Sequence, residues 1–185
     1  MTMDVPADNA AVRVREGDRL VPIACEALPV TVVLDRLRSA HNVGNIFRVV
    51  EAVCGERIVT CGYTATPSHP KLEKTARGCD GLVPCEHAET GADAVRRLQE
   101  AGRRVYAVET VEGAQSVWDV EFEFPCALVL GNEALGVSAE ALALCDGFVA
   151  LPSLGVKNSI NVGNCAAVVL YEALHQWLEA RTCER

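Results

Sequence analysis

Three short segments carry residue types that could hold a ligand and act on it. They are Arg38-Ser-Ala-His-Asn-Val-Gly-Asn-Ile-Phe-Arg48, Leu128-Val-Leu-Gly-Asn-Glu-Ala-Leu-Gly-Val-Ser138 and Leu151-Pro-Ser-Leu-Gly-Val-Lys-Asn-Ser-Ile-Asn161. Each is rich in Asn, Gly and Ser rather than in ordinary turn residues. Gly44, Gly131, Gly136 and Gly155 remove the Cβ that would keep a ligand away from backbone N–H and C=O groups. Rival chemistries find less support. Neither G-x-G-x-x-G nor a full phosphate-binding loop occurs, because Val137-Ser138 stands where the latter needs Lys-Ser/Thr after Gly131 and Gly136. There is no G-x-S-x-G elbow for a serine hydrolase. Cys79, Cys85 and His87 have ligand-like spacing but no fourth partner nearby, so no metal is expected.

The elements that must position these segments follow from hydrophobic periodicity. Runs 29–35, 57–61, 104–108, 126–130 and 147–151 are short, apolar and β-branched, which predicts buried strands. Helical spacing predicts helices over 45–53, 69–76 and 92–101, and a short one over 139–144 with Ser138 as N-cap. Strands and helices alternate, so the expected fold is α/β, a mostly parallel sheet with helices on both faces. In such sheets ligands bind outside the carboxyl ends of the strands, where the three segments fall. The last predicted helix, 161–180, contains Cys165-Ala-Ala-Val-Val-Leu-Tyr171 without a polar face. Such a helix is either central to the core or part of a subunit interface extended by Leu174, Trp177 and Leu178. Residues 1–28 read as a leader, the first eighteen of them loose, and 29–185 as one domain.

Composition narrows the setting. The chain has 185 residues, half of them hydrophobic, with 17 Lys+Arg against 25 Asp+Glu and a net charge of −8. A protein this acidic does not grip phosphates over a broad surface, so any nucleic acid must meet a local basic patch. No apolar stretch approaches the roughly 18 residues of a membrane span, and the polar start MTMDVPADNA does not read as a signal peptide. A soluble, cytoplasmic protein is expected. The nine cysteines are odd in number and widely spaced, and read as free thiols acting as small hydrophobes.

Together, Asn42-x-Gly44-Asn45-x-x-Arg48, Leu130-Gly131-Asn132-Glu133-x-x-Gly136, and Leu151-Pro152-x-x-Gly155 followed by Ser159-Ile160-Asn161-Val162 resemble the three motifs of the SpoU/TrmH family. These are S-adenosylmethionine-dependent RNA 2′-O-methyltransferases. The resemblance covers residues 30–178, and the flanking Gly62-Tyr-Thr-Ala-Thr-Pro67 and Lys74-Thr-Ala-Arg-Gly78 are similar to a stand-alone bacterial branch. It implies a C-terminal trefoil knot, which general topology rules would not suggest. It also implies a homodimer through the last helix and S-adenosyl-L-methionine as methyl donor.

The resemblance assigns roles residue by residue. Arg48 matches the motif-one arginine and would bind the adjacent phosphate and polarise the ribose hydroxyl, since a guanidinium rarely gives up its proton. Glu133 would orient Arg48 or a loop. Asn42 would position Arg48 or cap a helix, and Ser159 and Asn161 would orient the ribose or cap the last helix. His41 matches no motif position. Donor binding would fall to the backbone around Leu130, Gly131, Gly136, Leu151, Gly155 and Ile160. Arg36, Arg38, Lys71, Lys74 and Arg77 would contact RNA phosphates, because only about 28 residues precede the first strand and the catalytic unit itself would grip the target. Ser153 and Gly163 stand where the family carries Met and Ser, which predicts a slightly wider donor pocket. By analogy tRNA is favoured over rRNA. A non-catalytic binding module of the same fold and an unrelated nucleotide-binding enzyme are the alternatives.

Overall fold

The computed structural model describes residues 11–16, 19–24, 27–157 and 159–183. Strands β1 (Ala11–Glu16) and β2 (Arg19–Ala24) form an antiparallel pair in which Val14 faces Val21. Strand β3 (Leu28–Asp35) leads into helix α1 (Ala40–Ala52), then β4 (Gly55–Cys61), α2 (Pro70–Ala76) and β5 (Cys85–Ala88). Next come α3 (Gly91–Glu100), β6 (Arg104–Val108), β7 (Gln115–Ser116) and β8 (Cys126–Gly131). The chain ends with α4 (Ala139–Leu142), β9 (Gly147–Ala150) and α5 (Val162–Cys183). Strands β3 to β9 make one seven-stranded sheet in the order β5-β4-β3-β8-β6-β9-β7, with every neighbouring pair parallel.

Side-chain alternation along the strands decides the layers. Val30, Val32, Leu34, Tyr106, Leu128 and Leu130 point into one apolar cluster with Ile46, Phe47, Val50, Leu72, Val169 and Leu170 of α1, α2 and α5. Val33, Val105, Ala107, Ala127 and Val129 point the other way, onto Ala94, Val95 and Leu98 of α3 and Ala141 of α4. Strands buried on both faces favour apolar residues at nearly every position, which explains their hydrophobic runs, with Thr31, Asp35 and Thr60 as buried polar exceptions. Each large side chain buried this way contributes about 1.5–3 kcal/mol.

The register sets the height of the loops. Val32 pairs with Leu128, Leu34 with Leu130 and Asp35 with Gly131, so β3 and β8 end level at the centre of the sheet. Strand β8 inserts between β3 and β6, β9 lies beyond β6, and α5 returns to pack on α1. The segments after β3, β8 and β9 are thereby gathered at one edge.

The structure departs from the sequence reading in several places. Helix α1 starts five residues early, because Ser39 rather than Asn42 is its N-cap and accepts from the Asn42 N–H. Ser138 occupies the N-cap of α4 but makes no side-chain capping bond. The short strands β5 and β7 have no apolar run to announce them. Residues 1–10 of the expected leader lie outside the described residues, whereas part of its remainder forms the β1–β2 pair. The alternation Val12-Arg13-Val14-Arg15 before Gly17-Asp18 is the hairpin pattern that the sequence reading passed over.

Gly44 does not serve a ligand. It is buried where α1 meets α2, and a Cβ there would sit 2.6 Å from the Leu72 carbonyl oxygen and 2.8 Å from Thr75 Cβ. Gly44→Ala must push the helices apart and is expected to destabilise the fold by about 1–3 kcal/mol. Urea unfolding should show a lower midpoint at unchanged slope.

Candidate active site

A cleft of about 760 Å³ opens at the carboxyl ends of β6, β8 and β9 and is closed on one side by the approach to α5. Leu130, Gly131, Gly136, Leu151 and Ile160 line it, as do Glu133, Ser153, Ser159 and Asn161. Among its lining residues Glu109 and Glu133 are the charged ones, and both are acids. Gly131 has to be glycine: the chain turns back so tightly that a Cβ would fall on the backbone of Gly136 and Val137. Asn132 and Gly136 exchange backbone bonds of 3.0 and 2.9 Å across this turn, and Gly136 has φ +70°. The side chain of Asn132 closes the turn from within, its Oδ1 accepting from the N–H groups of Ala134 and Leu135 at 2.9 and 3.0 Å.

The first two motif segments meet through one carboxylate, and the third joins them through an amide pair. Glu133 accepts from the backbone N–H of Arg38 at 2.9 Å and of Ser39 at 3.1 Å, and from Asn42 Nδ2 at 2.8 Å. Glu133 therefore orients the loop that opens α1, and makes no bond to Arg48. Burial pushes its pKa up, but the bonds from Arg38, Asn42 and Ser39 outweigh this and hold it below the ordinary carboxylate value. Asn42 in turn accepts at Oδ1 from Asn161 Nδ2 at 3.1 Å. Asn161 also caps α5, with Oδ1 accepting from the Gly163 N–H at 2.9 Å. Capping and bridging are thus one arrangement.

Other expected residues are placed differently. Arg48 is exposed and does not line the cleft, and its side chain forms no hydrogen bond or ion pair with any described residue. Gly155 is exposed with open space around it, away from the cleft lining. Gly163 is buried against Asn45, where a Cβ would lie 2.6 Å from Asn45 Nδ2, so its small size admits a side chain and does not widen the pocket. Arg38, Lys71, Lys74 and Arg77 are exposed, but Arg36 is half-buried with Nε 3.4 Å from Asp35 Oδ1. His41 is held by Thr75 Oγ1 at 2.7 Å, outside the cleft.

Sequence reasoning missed three supports. Glu109, at the end of β6, accepts from the N–H groups of Val137 and Thr110 at 3.0 Å each and fastens the far end of the glycine turn. Asp35 is fully buried and accepts from the Ser138 N–H at 2.7 Å. Asn132 Nδ2 donates to the Arg36 carbonyl at 2.7 Å and to the Tyr63 hydroxyl at 2.9 Å. The one available signal was an acidic residue at the end of a buried strand, Asp35 closing β3 and Glu109 directly following β6.

The cysteines fit the inert reading where they are described. Burial pushes the thiols of Cys61, Cys126 and Cys145 up to about 12 and those of Cys85 and Cys165 to about 11, so none is a thiolate near neutrality. No group of three metal-ligating side chains is found among the described residues, and His87 Nδ1 meets Thr60 Oγ1 at 3.0 Å.

A carboxylate with a lowered folded-state pKa stabilises the fold above its unfolded pKa and loses that contribution as pH falls through the folded value. Glu133→Gln should therefore lower the urea midpoint at about pH 7, and its difference from the wild type should shrink towards about pH 3. A difference that stays constant over that range would show that the charge of Glu133 does not matter.

A sequence model of the SpoU rRNA Methylase family matches residues 29–171. The tRNA (guanosine(18)-2′-O)-methyltransferase of Thermus thermophilus is 36% identical over 155 residues, covering 84% of this chain and 79% of that protein. The 23S rRNA (uridine(2479)-2′-O)-methyltransferase of Streptomyces viridochromogenes is 31% identical over 183 residues, 97% of this chain but only 64% of that protein. The crystal structure of the SpoU methyltransferase AviRb from the same organism, in complex with the cofactor AdoMet, superposes with a TM-score of 0.71 at 29% identity, covering 80% of this chain and 57% of that one. The motif segments that Glu133 joins lie within the matched stretch, and the chain belongs to the SpoU rRNA methylase family.

Proposed function

We propose that this chain transfers a methyl group from S-adenosyl-L-methionine to a ribose 2′-hydroxyl of RNA, with tRNA favoured over rRNA, in the cytoplasm. The observation that carries this reading is the junction of Asn42, Glu133 and Asn161 at the rim of a cleft whose charged lining is acidic. The named relatives act on tRNA and rRNA at ribose 2′-oxygens, and the AviRb complex contains AdoMet.

The cleft fits such a donor. Val108, Leu130, Leu142, Val149, Leu151 and Ile160 offer apolar surface for a neutral ring, and the tight turn at Gly131 leaves backbone polar groups bordering the cleft. A sulfonium bears positive charge, so a lining without Lys or Arg suits it. When bound, the donor would supply an electrophilic methyl on a sulfonium, whose sulfur–carbon bond would break to a thioether as the oxygen–carbon bond forms and the hydroxyl proton passes to water.

The chain's own groups bind and orient. Ser159 and Asn161 position the ribose at the cleft mouth, while Asn42 and Glu133 hold the two loops that frame it. Arg48 carries a guanidinium without a protein counter-charge among the described residues. Since it stands outside this chain's own cleft lining, it acts in the homodimer, reaching the other protomer's cleft to bind the neighbouring phosphate and polarise the hydroxyl, which lowers the cost of losing its proton. Arg38, Lys74 and Arg77 extend a basic track outside the cleft. Residues 29–185 act as the catalytic domain behind the 1–28 leader. The trefoil knot implied by the family resemblance is supported by the strand order β3-β8-β6-β9 and the return of α5 to α1.

Homodimerisation through α5 is part of the same proposal. Val168 and Tyr171 lie three residues apart on α5 and are 41% and 53% exposed, an apolar patch that the chain's own core does not cover. Light scattering should give a dimer for the wild type and a monomer for Val168→Glu with Tyr171→Glu. A monomeric wild type would refute the interface.

Titration calorimetry with S-adenosylhomocysteine, with ATP and NAD as controls, tests the donor site, and micromolar binding of the first alone is expected. Methyl transfer to unmodified tRNA and rRNA transcripts tests the reaction. Arg48→Ala should lower kcat by about 100-fold or more, and Lys74→Glu with Arg77→Glu should raise the KM for RNA. Donor binding without transfer to either RNA would favour the non-catalytic module.

A further inference from the structure

Tyr63 is an aromatic side chain placed where its ring gains little from the protein. It follows β4 on a short loop and remains 60% exposed, although the backbone on both sides is firmly fixed. Gly62 has φ +60°, and its N–H donates to the Ala88 carbonyl at 3.2 Å. Thr64 is 3% exposed, and its hydroxyl donates to the Leu34 carbonyl at 3.0 Å and accepts from the Leu37 N–H at 2.9 Å. The loop is thus clamped to the connection between β3 and α1.

The hydroxyl is anchored too. It accepts from Asn132 Nδ2 at 2.9 Å, and the same amide donates to the Arg36 carbonyl. Asn132 adjoins Glu133, the residue that joins the motif segments. An exposed ring held at its backbone and at its hydroxyl loses rotamer freedom and buries little apolar area in return. Around it are the loop that bears Arg36 and Arg38, and the turn that lines the cleft.

Resting on the function proposed above, we infer that Tyr63 is a stacking platform for a nucleobase of the RNA, adjacent to the nucleotide whose ribose is methylated. A phenol ring tied by its edge presents its face, the surface on which an unpaired base stacks irrespective of sequence. The exposed guanidinium of Arg38 gives the strand carrying that base a cation nearby. The hydroxyl keeps its own proton as a donor, since in its bond with Asn132 it acts as acceptor.

The experiment compares Tyr63→Leu, Tyr63→Phe and Tyr63→Trp with the wild type, on whichever tRNA or rRNA transcript the wild type methylates. Tyr63→Leu should raise the KM for RNA about 10-fold, within the range known for base–aromatic stacking. It should leave kcat and the affinity for S-adenosylhomocysteine within about twofold. Tyr63→Phe and Tyr63→Trp, which keep a ring, should retain a KM within about threefold of the wild type. An unchanged KM for Tyr63→Leu would overturn the inference. So would equal defects in the Leu and Phe variants, or a parallel loss of donor affinity, because either would mean that Tyr63 merely supports the Asn132 turn. A wild type that methylates no RNA would overturn the underlying reading and this one with it, whereas transfer by wild type and Tyr63→Leu at equal KM would overturn this one alone.

Discussion

One carboxylate holds the site together, and its leverage comes from where helices are weakest. The first turn of any α-helix presents N–H groups without intrahelical partners, and a negative charge is favoured there. Glu133, almost a hundred residues further along the chain, takes the N–H groups of Arg38 and Ser39 just before α1 and the side chain of Asn42 within its first turn. Ser39 is left to cap the helix in the ordinary way. Asn42 is then fixed so that its remaining oxygen can accept from Asn161, which also caps α5. Removing the carboxylate would strand two backbone donors and free an amide in one step. Folding of the loops and assembly of the site are therefore the same event.

That clasp depends on a sheet register accurate to one residue. Asp35 and Gly131 end their strands side by side, so the loops leaving β3 and β8 start level. A slip of one position would turn Asp35 from the α3–α4 side to the α1–α5 side and carry its carboxylate away from the Ser138 N–H. Burying a polar group is costly unless it is bonded, and Asp35 is fully buried. Its bond to Ser138 and the approach of Arg36 offset that cost while closing the loop that begins at Gly131. Glu109 acts from the neighbouring strand on Val137. Two acids at strand ends thus fix the backbone on which a donor would rest.

What was legible in the sequence was whatever has a local cause. The runs around Val32, Leu128 and Val105 announced buried parallel strands because both faces of those strands are covered. The Asn-Gly-Ser segments announced ligand loops because each follows a predicted strand, where parallel sheets bind their ligands. Pairings that exist only once the sheet is assembled were not legible. Nothing near Gly44 in the sequence reveals that Leu72 and Thr75 press against it, and nothing near Gly163 reveals Asn45. Asn42 looked like a cap because Asn commonly is one, yet Ser39 took that role and released it for a longer-range bond. Strands β5 and β7 escaped notice because short strands at or next to the sheet edges need no apolar signature.

The charge distribution divides the labour between cleft and rim. The exposed Arg38, Arg48, Lys74 and Arg77 lie on or next to α1 and α2, interspersed with Glu51 and Glu73 and outside the cleft lining, whereas the charged residues of the lining, Glu109 and Glu133, are both acids. Both acids are bonded to backbone N–H groups, so their charge is partly spent on the loops and cannot wander toward the RNA. Exposed charges, Glu133 among them, are screened within about 8–10 Å at physiological salt, while the half-buried Glu109 is screened less. Rising ionic strength should consequently loosen the nucleic acid well before it disturbs the cleft. A separation of this kind lets an acidic protein hold a cationic donor and an anionic substrate at adjoining surfaces without one weakening the grip on the other.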